Sequence, residues 1–149
     1  MLKRLLVVTA IILFAFVSCE SQSASNNLSW ETDLGVAIKK AKQENKTVFV
    51  NFTGSDWCKW CMKLNDEVFS KSDFENFAKD NLVLVKIDFP QSLPQSNETK
   101  MYNNSLAQKF GVQGFPTIIL LDSTGKVLLR TGYQPGGAAN YVEHLKSYI

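Results

Sequence analysis

Cysteine and histidine are the scarce residues of this chain, which has three of the first and one of the second in 149 residues. An exported scaffold held by disulfides spreads several pairs along its length. Here Cys58 and Cys61 share one C-x-x-C, and Cys19 stands apart near the N-terminus. That spacing suits chemistry rather than stapling. A structural zinc site takes four ligands, whereas the cysteines and histidine beyond residue 19 are only Cys58, Cys61 and His144. A c-type haem attachment needs histidine directly after the second cysteine, and Met62 stands there. No metal and no cofactor are therefore expected. An excess of one charge is missing too. Lys3 and Arg4 lie in the leader, which leaves 14 basic against 14 acidic residues. With no basic run and no interleaved aromatic stripe, nothing calls for nucleic acid or an anionic surface. Internal repeats are absent.

A run long enough to cross a membrane is also lacking. Leu5 to Val17 is apolar except for Thr9 but spans 13 residues, against about 20 for a membrane helix. Preceded by Lys3 and Arg4, it has the length and flanks of a signal h-region. Phe16-Val17-Ser18-Cys19 resembles a bacterial lipoprotein box, with Phe16 in the place where leucine is usual. The expectation is a lipoprotein-type signal peptide over residues 1–19, with Cys19 lipidated. Ordinary secretory cleavage is the alternative. Residues 20–28 are rich in Ser, Asn and Gln and read as a flexible tether. A single domain over residues 29–149 remains, large enough to bury a core without staples.

Within that domain, Trp30, Leu34, Ala37, Ile38 and Ala41 recur at helical spacing until Asn45-Lys46. Thr47 to Phe52 is a β-branched and aromatic run, read as a central strand. Thr53 to Asp56 forms a turn, and Trp57 leads into the C-x-x-C. A helix carrying Met62, Leu64, Val68 and Phe69 follows. Ser72-Asp73-Phe74-Glu75 matches a capping box that opens a second helix. Leu82 to Ile87 is another strand, and Asp88 to Met101 reads as a long polar loop. Leu106, Ala107 and Phe110 make a helical turn closed by Gly111. Thr117–Leu121 and Lys126–Arg130 form a hairpin around residues 122–125, and a last helix carries Ala138, Val142, Leu145 and Ile149 on one face. The order is α/β, a central mixed sheet flanked by helices.

Disulfide exchange needs a thiolate and a second thiol near enough to resolve the mixed disulfide. Cys58 falls where a turn becomes a helix, so free N–H groups and the helix dipole favour its anion. Lys59 adds positive charge. Cys61, one helical turn on, lies on the same face. Trp60, between the two cysteines, is expected to face solvent or substrate, whereas core packing and contact with substrate are equally balanced for Trp57. His144 reads as a surface residue, and Asp88 and Lys86 as strand-end residues.

Val48-Phe49-Val50-Asn51-Phe52, Trp57-Cys58-Lys59-Trp60-Cys61, Val85-Lys86-Ile87-Asp88 and Gly114-Phe115-Pro116-Thr117 together resemble thioredoxin over roughly residues 30–149. Phe52 to Cys58, Asp88-Phe89-Pro90-Gln91 and Gly132 to Gly137 resemble, more narrowly, the periplasmic DsbH-type thioredoxins. That resemblance implies the thioredoxin fold, with Pro116 as a cis-proline opposite the cysteines. The Phe115 backbone would pair with a substrate segment as a short added strand. It also implies an exported thiol–disulfide oxidoreductase, working as a reductase, in the bacterial periplasm or envelope. Cys58 would attack, Cys61 would resolve, and Trp57, Lys59, Trp60, Phe115 and Pro116 would bind substrate.

The implied partners are cysteine-containing exported proteins and a membrane electron-transfer protein; no dimerisation segment is visible, so a monomer is expected. One departure stands out. Thioredoxins carry a buried aspartate where this chain has Asn51, and an amide cannot take a proton as a carboxylate can. An oxidase or isomerase of the same fold, or a metal-carrying binding module, are the rival readings. The leader yields a direct test: Cys19→Ala should abolish association of the protein with membranes. A native protein already soluble, with an unmodified N-terminus beyond Cys19, would contradict lipidation.

Overall fold

The structure is a computed structural model, and it describes residues 28–149. The expected signal peptide, Cys19 and all but the last residue of the tether lie outside the described residues. Five strands form one sheet: β1 (Trp30–Glu31), β2 (Thr47–Thr53), β3 (Leu82–Asp88), β4 (Thr117–Leu121) and β5 (Val127–Thr131). Their order across the sheet is β1-β3-β2-β4-β5, with β1 and β2 parallel to β3, β4 antiparallel to β2, and β5 antiparallel to β4. Helices α1 (Leu34–Glu44) and α4 (Asn97–Lys109) cover one face. The other face carries α2 (Lys59–Leu64), α3 (Ser72–Asn81), α5 (Gly137–Lys146) and a π-helical turn over Asn65–Phe69 that continues α2.

Strand alternation decides which side chain meets which layer. Along β2, Val48, Val50 and Phe52 join the core under α1 and α4, while Phe49 points into the opposite core. Asn51 shares the parity of Phe49 and so faces the α2 side. On β3, Leu84 shares the Phe49 side, and Lys86, paired in register with Asn51, follows it. A polar pair is thus aimed at the layer that carries the cysteines.

Phe49, Phe69 and Phe74 pack mutually at centroid distances of 4.9 to 5.7 Å, with Trp30 at 5.5 Å from Phe69. Burial of each phenylalanine is worth about 1.5–3 kcal/mol. This cluster fixes the helix that begins at the C-x-x-C to the sheet. The π-helical turn inserts one extra residue per turn, and Val68 and Phe69 are then both buried beside Leu64.

The structure corrects several sequence expectations. Trp30 is not on the first helix but in β1, paired with Leu84; α1 starts at Leu34, where the Asp33 carboxylate accepts from the Val36 N–H at 2.9 Å. The Ser72 capping box does not form: Lys71 is the N-cap, and Ser72 is already the first helical residue. The loop after β3 is shorter than residues 88–101 suggested. Helix α4 begins at Asn97, with Ser96 Oγ accepting from the Thr99 N–H at 3.1 Å. Few apolar residues mark α4, because one of its two buried side chains is Asn103, held by donation to the Asp88 carbonyl at 2.8 Å. Finally, α5 ends at Lys146, and Ile149 lies exposed beyond it. Asn45 ends α1 as the sequence suggested, in left-handed conformation with φ 53°.

Candidate active site

Cys58 and Cys61 are joined as a disulfide, with Cα atoms 5.2 Å apart. Cys58 is the N-cap of α2, and its Sγ accepts a hydrogen bond from the Cys61 N–H at 3.2 Å. A sulfur at this place meets the unpaired N–H groups and the positive end of the helix, both of which favour its anion. The residues after it close the first turn: the Cys61 and Met62 N–H groups donate to the Cys58 carbonyl at 3.0 Å each. Both cysteines are nearly covered, at 6% and 5% exposure. Exposure in the oxidised state therefore does not distinguish the two sulfurs, whereas position on the helix does.

The turn before Cys58 is held from three sides. The Cys58 N–H donates to the Gly54 carbonyl at 2.9 Å. The Trp57 indole lies directly on Gly54, where a Cβ would come within 2.5 Å of the ring, so any larger residue would push the indole away. Indole Nε1–H donates to the Phe89 carbonyl at 2.8 Å. The Asp88 carboxylate accepts from Ser55 twice, from its N–H at 2.9 Å and its Oγ–H at 2.6 Å. Asp56 accepts from the N–H groups of Gln91, Ser92 and Leu93 at 3.0, 2.7 and 3.0 Å. Those amides hold its carboxyl below the usual carboxylate value. The segment after β3 is thereby tied to the turn that presents Cys58.

Three aromatic rings line one side of the site. Phe115 stacks on Phe89 at 5.0 Å and meets the Trp57 ring edge-on at 5.9 Å. Trp57 is 39% exposed, so it is a partly open wall rather than a core residue. The Phe115–Pro116 peptide is cis. On the other side, Trp60 is 56% exposed and packs against Tyr133 at 5.1 Å. Lys59 is exposed at the start of α2.

Behind Cys61 lies a cavity of about 500 Å³ lined by Asn51, Thr53, Ser55, Cys61, Asn65, Asp66 and Lys86 among others. Asn51 is 6% exposed, and its Oδ1 has no hydrogen-bond partner among the described residues. The cavity is polar and roomy enough for water. His144 is half-buried on α5, its ring nitrogen 3.2 Å from Thr131 Oγ1, and not the surface residue that its position suggested. Among the described residues, no group of three or more His, Cys, Asp or Glu is arranged to hold a metal, and no helix is long and apolar enough to cross a membrane.

Sequence reasoning missed Phe89, Asp56 and Tyr133 as parts of this site. Phe89 and Tyr133 sit in connections whose path follows no periodic pattern. Asp56 gave only a charge near the C-x-x-C; its three acceptor bonds depend on a loop 35 residues further along the chain.

With this geometry in view, the relatives are informative. A thioredoxin-like domain model matches residues 34–146. The disulfide bond reductase DsbH of Chlamydia pneumoniae is 42% identical over 126 residues, which cover 85% of this chain and 75% of that protein. The thioredoxin-related protein DsbJ of the same organism is 28% identical over 88% of this chain and 38% of its own length. Among solved structures, a DsbH oxidoreductase superposes with a TM-score of 0.78 at 42% identity, covering 84% of this chain and 86% of that one. A thioredoxin fold that carries a redox-active disulfide, in a homologue of DsbH, is a thiol–disulfide oxidoreductase. The chain belongs to the thioredoxin-like family, on the side of it that contains DsbH.

Proposed function

We propose that this protein is an exported reductase of protein disulfides in the bacterial envelope. The observation that carries the reading is Cys58 Sγ at the start of α2, accepting the Cys61 N–H while paired with Cys61. In the reduced protein, the Cys58 thiolate attacks one sulfur of a substrate disulfide. The Cys58–substrate bond forms, the substrate S–S bond breaks, and the departing thiolate takes a proton from water. Cys61, once deprotonated, attacks Cys58 Sγ, and the second substrate thiolate leaves. Two electrons pass to the substrate, and Cys58–Cys61 is left oxidised. A dithiol donor must then reduce it, which implies a membrane partner that brings electrons from the cytoplasm.

Substrates are exported proteins with accessible disulfides. The Phe115 backbone beside cis-Pro116 would pair with an extended substrate segment, and Trp57, Lys59 and Trp60 would flank its cysteine. The protein acts as a monomer, held at the membrane through Cys19 if that residue is lipidated. The reducing direction is supported by the residues inside the C-x-x-C. Strong oxidants push the first thiolate to very low pKa. Here Lys59 is exposed and screened by solvent, and Trp60 carries no charge. Asn51 leaves Cys61 without a carboxylate at that position of β2, so cavity water, or the Asp66 carboxylate that lines the same cavity, takes its proton.

Equilibration with glutathione buffers should give a reduction potential between about −270 and −200 mV, and Cys61→Ser should accumulate mixed disulfides through Cys58. A potential near −120 mV, or trapping by Cys58→Ser instead, would overturn the assignment. Asn51→Asp should speed the resolving step near neutral pH. A buried aspartate has its folded-state pKa raised, so the variant should lose stability as pH climbs above the ordinary carboxylate value. Thermal melts at pH 4 and pH 7 read this directly, and equal losses at the two pH values would contradict it.

A further inference from the structure

The loop after β5 carries Tyr133, which the mechanism has not used. Its ring packs on Trp60 at 5.1 Å, the exposed residue between the two cysteines. Lys63 Nζ stands 5.4 Å from both ring centroids, within the range of a cation–π contact. The Tyr133 hydroxyl donates to Glu67 Oε2 at 2.6 Å, and Glu67 Oε1 lies 3.6 Å from Lys63 Nζ. That hydrogen bond holds the phenol above its ordinary pKa, so it remains a donor through the neutral range. Tyr133 and Lys63 thus pack on the Trp60 ring, and Glu67 ties the two together. The same loop touches the cis-proline: a Cβ on Gly132 would come within 3.0 Å of the Pro116 carbonyl.

Two aromatic walls thus stand at the C-x-x-C, Trp57 with Phe115 and Trp60 with Tyr133. The second wall is also basic. Lys59 is exposed, and no acidic partner for it occurs among the described residues, while Lys63 is only loosely matched by Glu67 at 3.6 Å. Resting on the proposed exchange at Cys58, we propose that the Tyr133–Trp60 wall determines substrate specificity. It takes an extended peptide that carries an apolar side chain beside its cysteine, followed by an acidic one. The apolar group lies on the ring faces, and the acid meets Lys59. Tyr133 acts as a positioning residue: it sets the Trp60 ring that meets the substrate.

The test uses short peptides whose single cysteine is a mixed disulfide with glutathione, reacted with the reduced full-length protein. One peptide has Leu then Glu beside the cysteine; in others Ser replaces Leu or Lys replaces Glu. In single turnover, the wild type should reduce the Leu-Glu peptide about tenfold faster than the Ser-Glu peptide, read as the second-order rate constant. Tyr133→Ala should bring that ratio to within about twofold of unity, whereas Tyr133→Phe, which keeps the ring, should preserve it. Lys59→Glu, a surface change, should reverse the preference for Glu over Lys and leave the Leu preference intact. A wild-type ratio near one, or an unchanged ratio in Tyr133→Ala, would overturn the proposal. Should Tyr133→Ala fail to fold, an unaltered Glu preference in Lys59→Glu overturns it equally. Oxidised glutathione runs in parallel: wild-type reactivity toward it without peptide selectivity rejects the wall alone, and no reactivity at all rejects the exchange reading.

Discussion

The placement of Cys58 Sγ at the first turn of α2 is the constraint on which the rest of the site depends. One sulfur occupies the position that a capping side chain usually fills, and the Cys61 N–H donates to it. The same turn of helix that favours an anion on Cys58 brings Cys61 back to the same face. On the proposed mechanism, attack and resolution are both built into one local structure. The remainder of the fold serves to hold this turn still and to line the cavity behind Cys61.

Holding it still takes longer-range contacts. The aromatic cluster of Phe49, Phe69 and Phe74 fixes the far end of the helix against the sheet. At the near end, Asp88, Asp56 and Trp57 fasten the turn to the segment after β3 by hydrogen bonds. Asp56 makes part of that fastening sensitive to acid. Its folded-state pKa lies below the ordinary value, so its contribution is present above that value and fades as pH falls through the depressed one. The side chain is partly open to solvent, which keeps this contribution modest. Strand parity adds the remaining element, because it turns Asn51 and Lys86 toward the cavity behind Cys61.

Much of this was legible in the sequence because the signals were local. The β-branched run of β2, the Asn45 stop, the hairpin at residues 122–125 and the C-x-x-C at a turn–helix junction each depend on neighbours in the chain. The resemblance to thioredoxin supplied what spacing could not, the cis peptide before Pro116. Failures came where tertiary contacts override local pattern. Helix α4 hides an amide in its buried face, and Trp30 joins a two-residue strand because β3 offers it an edge. The locks at Asp56 and Tyr133 join residues 35 and 66 positions apart, which no window along the sequence can reveal.

The central claim is that the two cysteines, equally covered when paired, differ in chemistry because of where they sit on the helix. Timed alkylation of the reduced protein with iodoacetamide, mapped by peptide mass between pH 5 and pH 9, tests it most directly. Cys58 should be modified first, with a midpoint below the ordinary cysteine value of about 8.5, and Cys61 should lag throughout. Equal rates at the two residues, or a Cys58 midpoint at or above that value, would contradict the account.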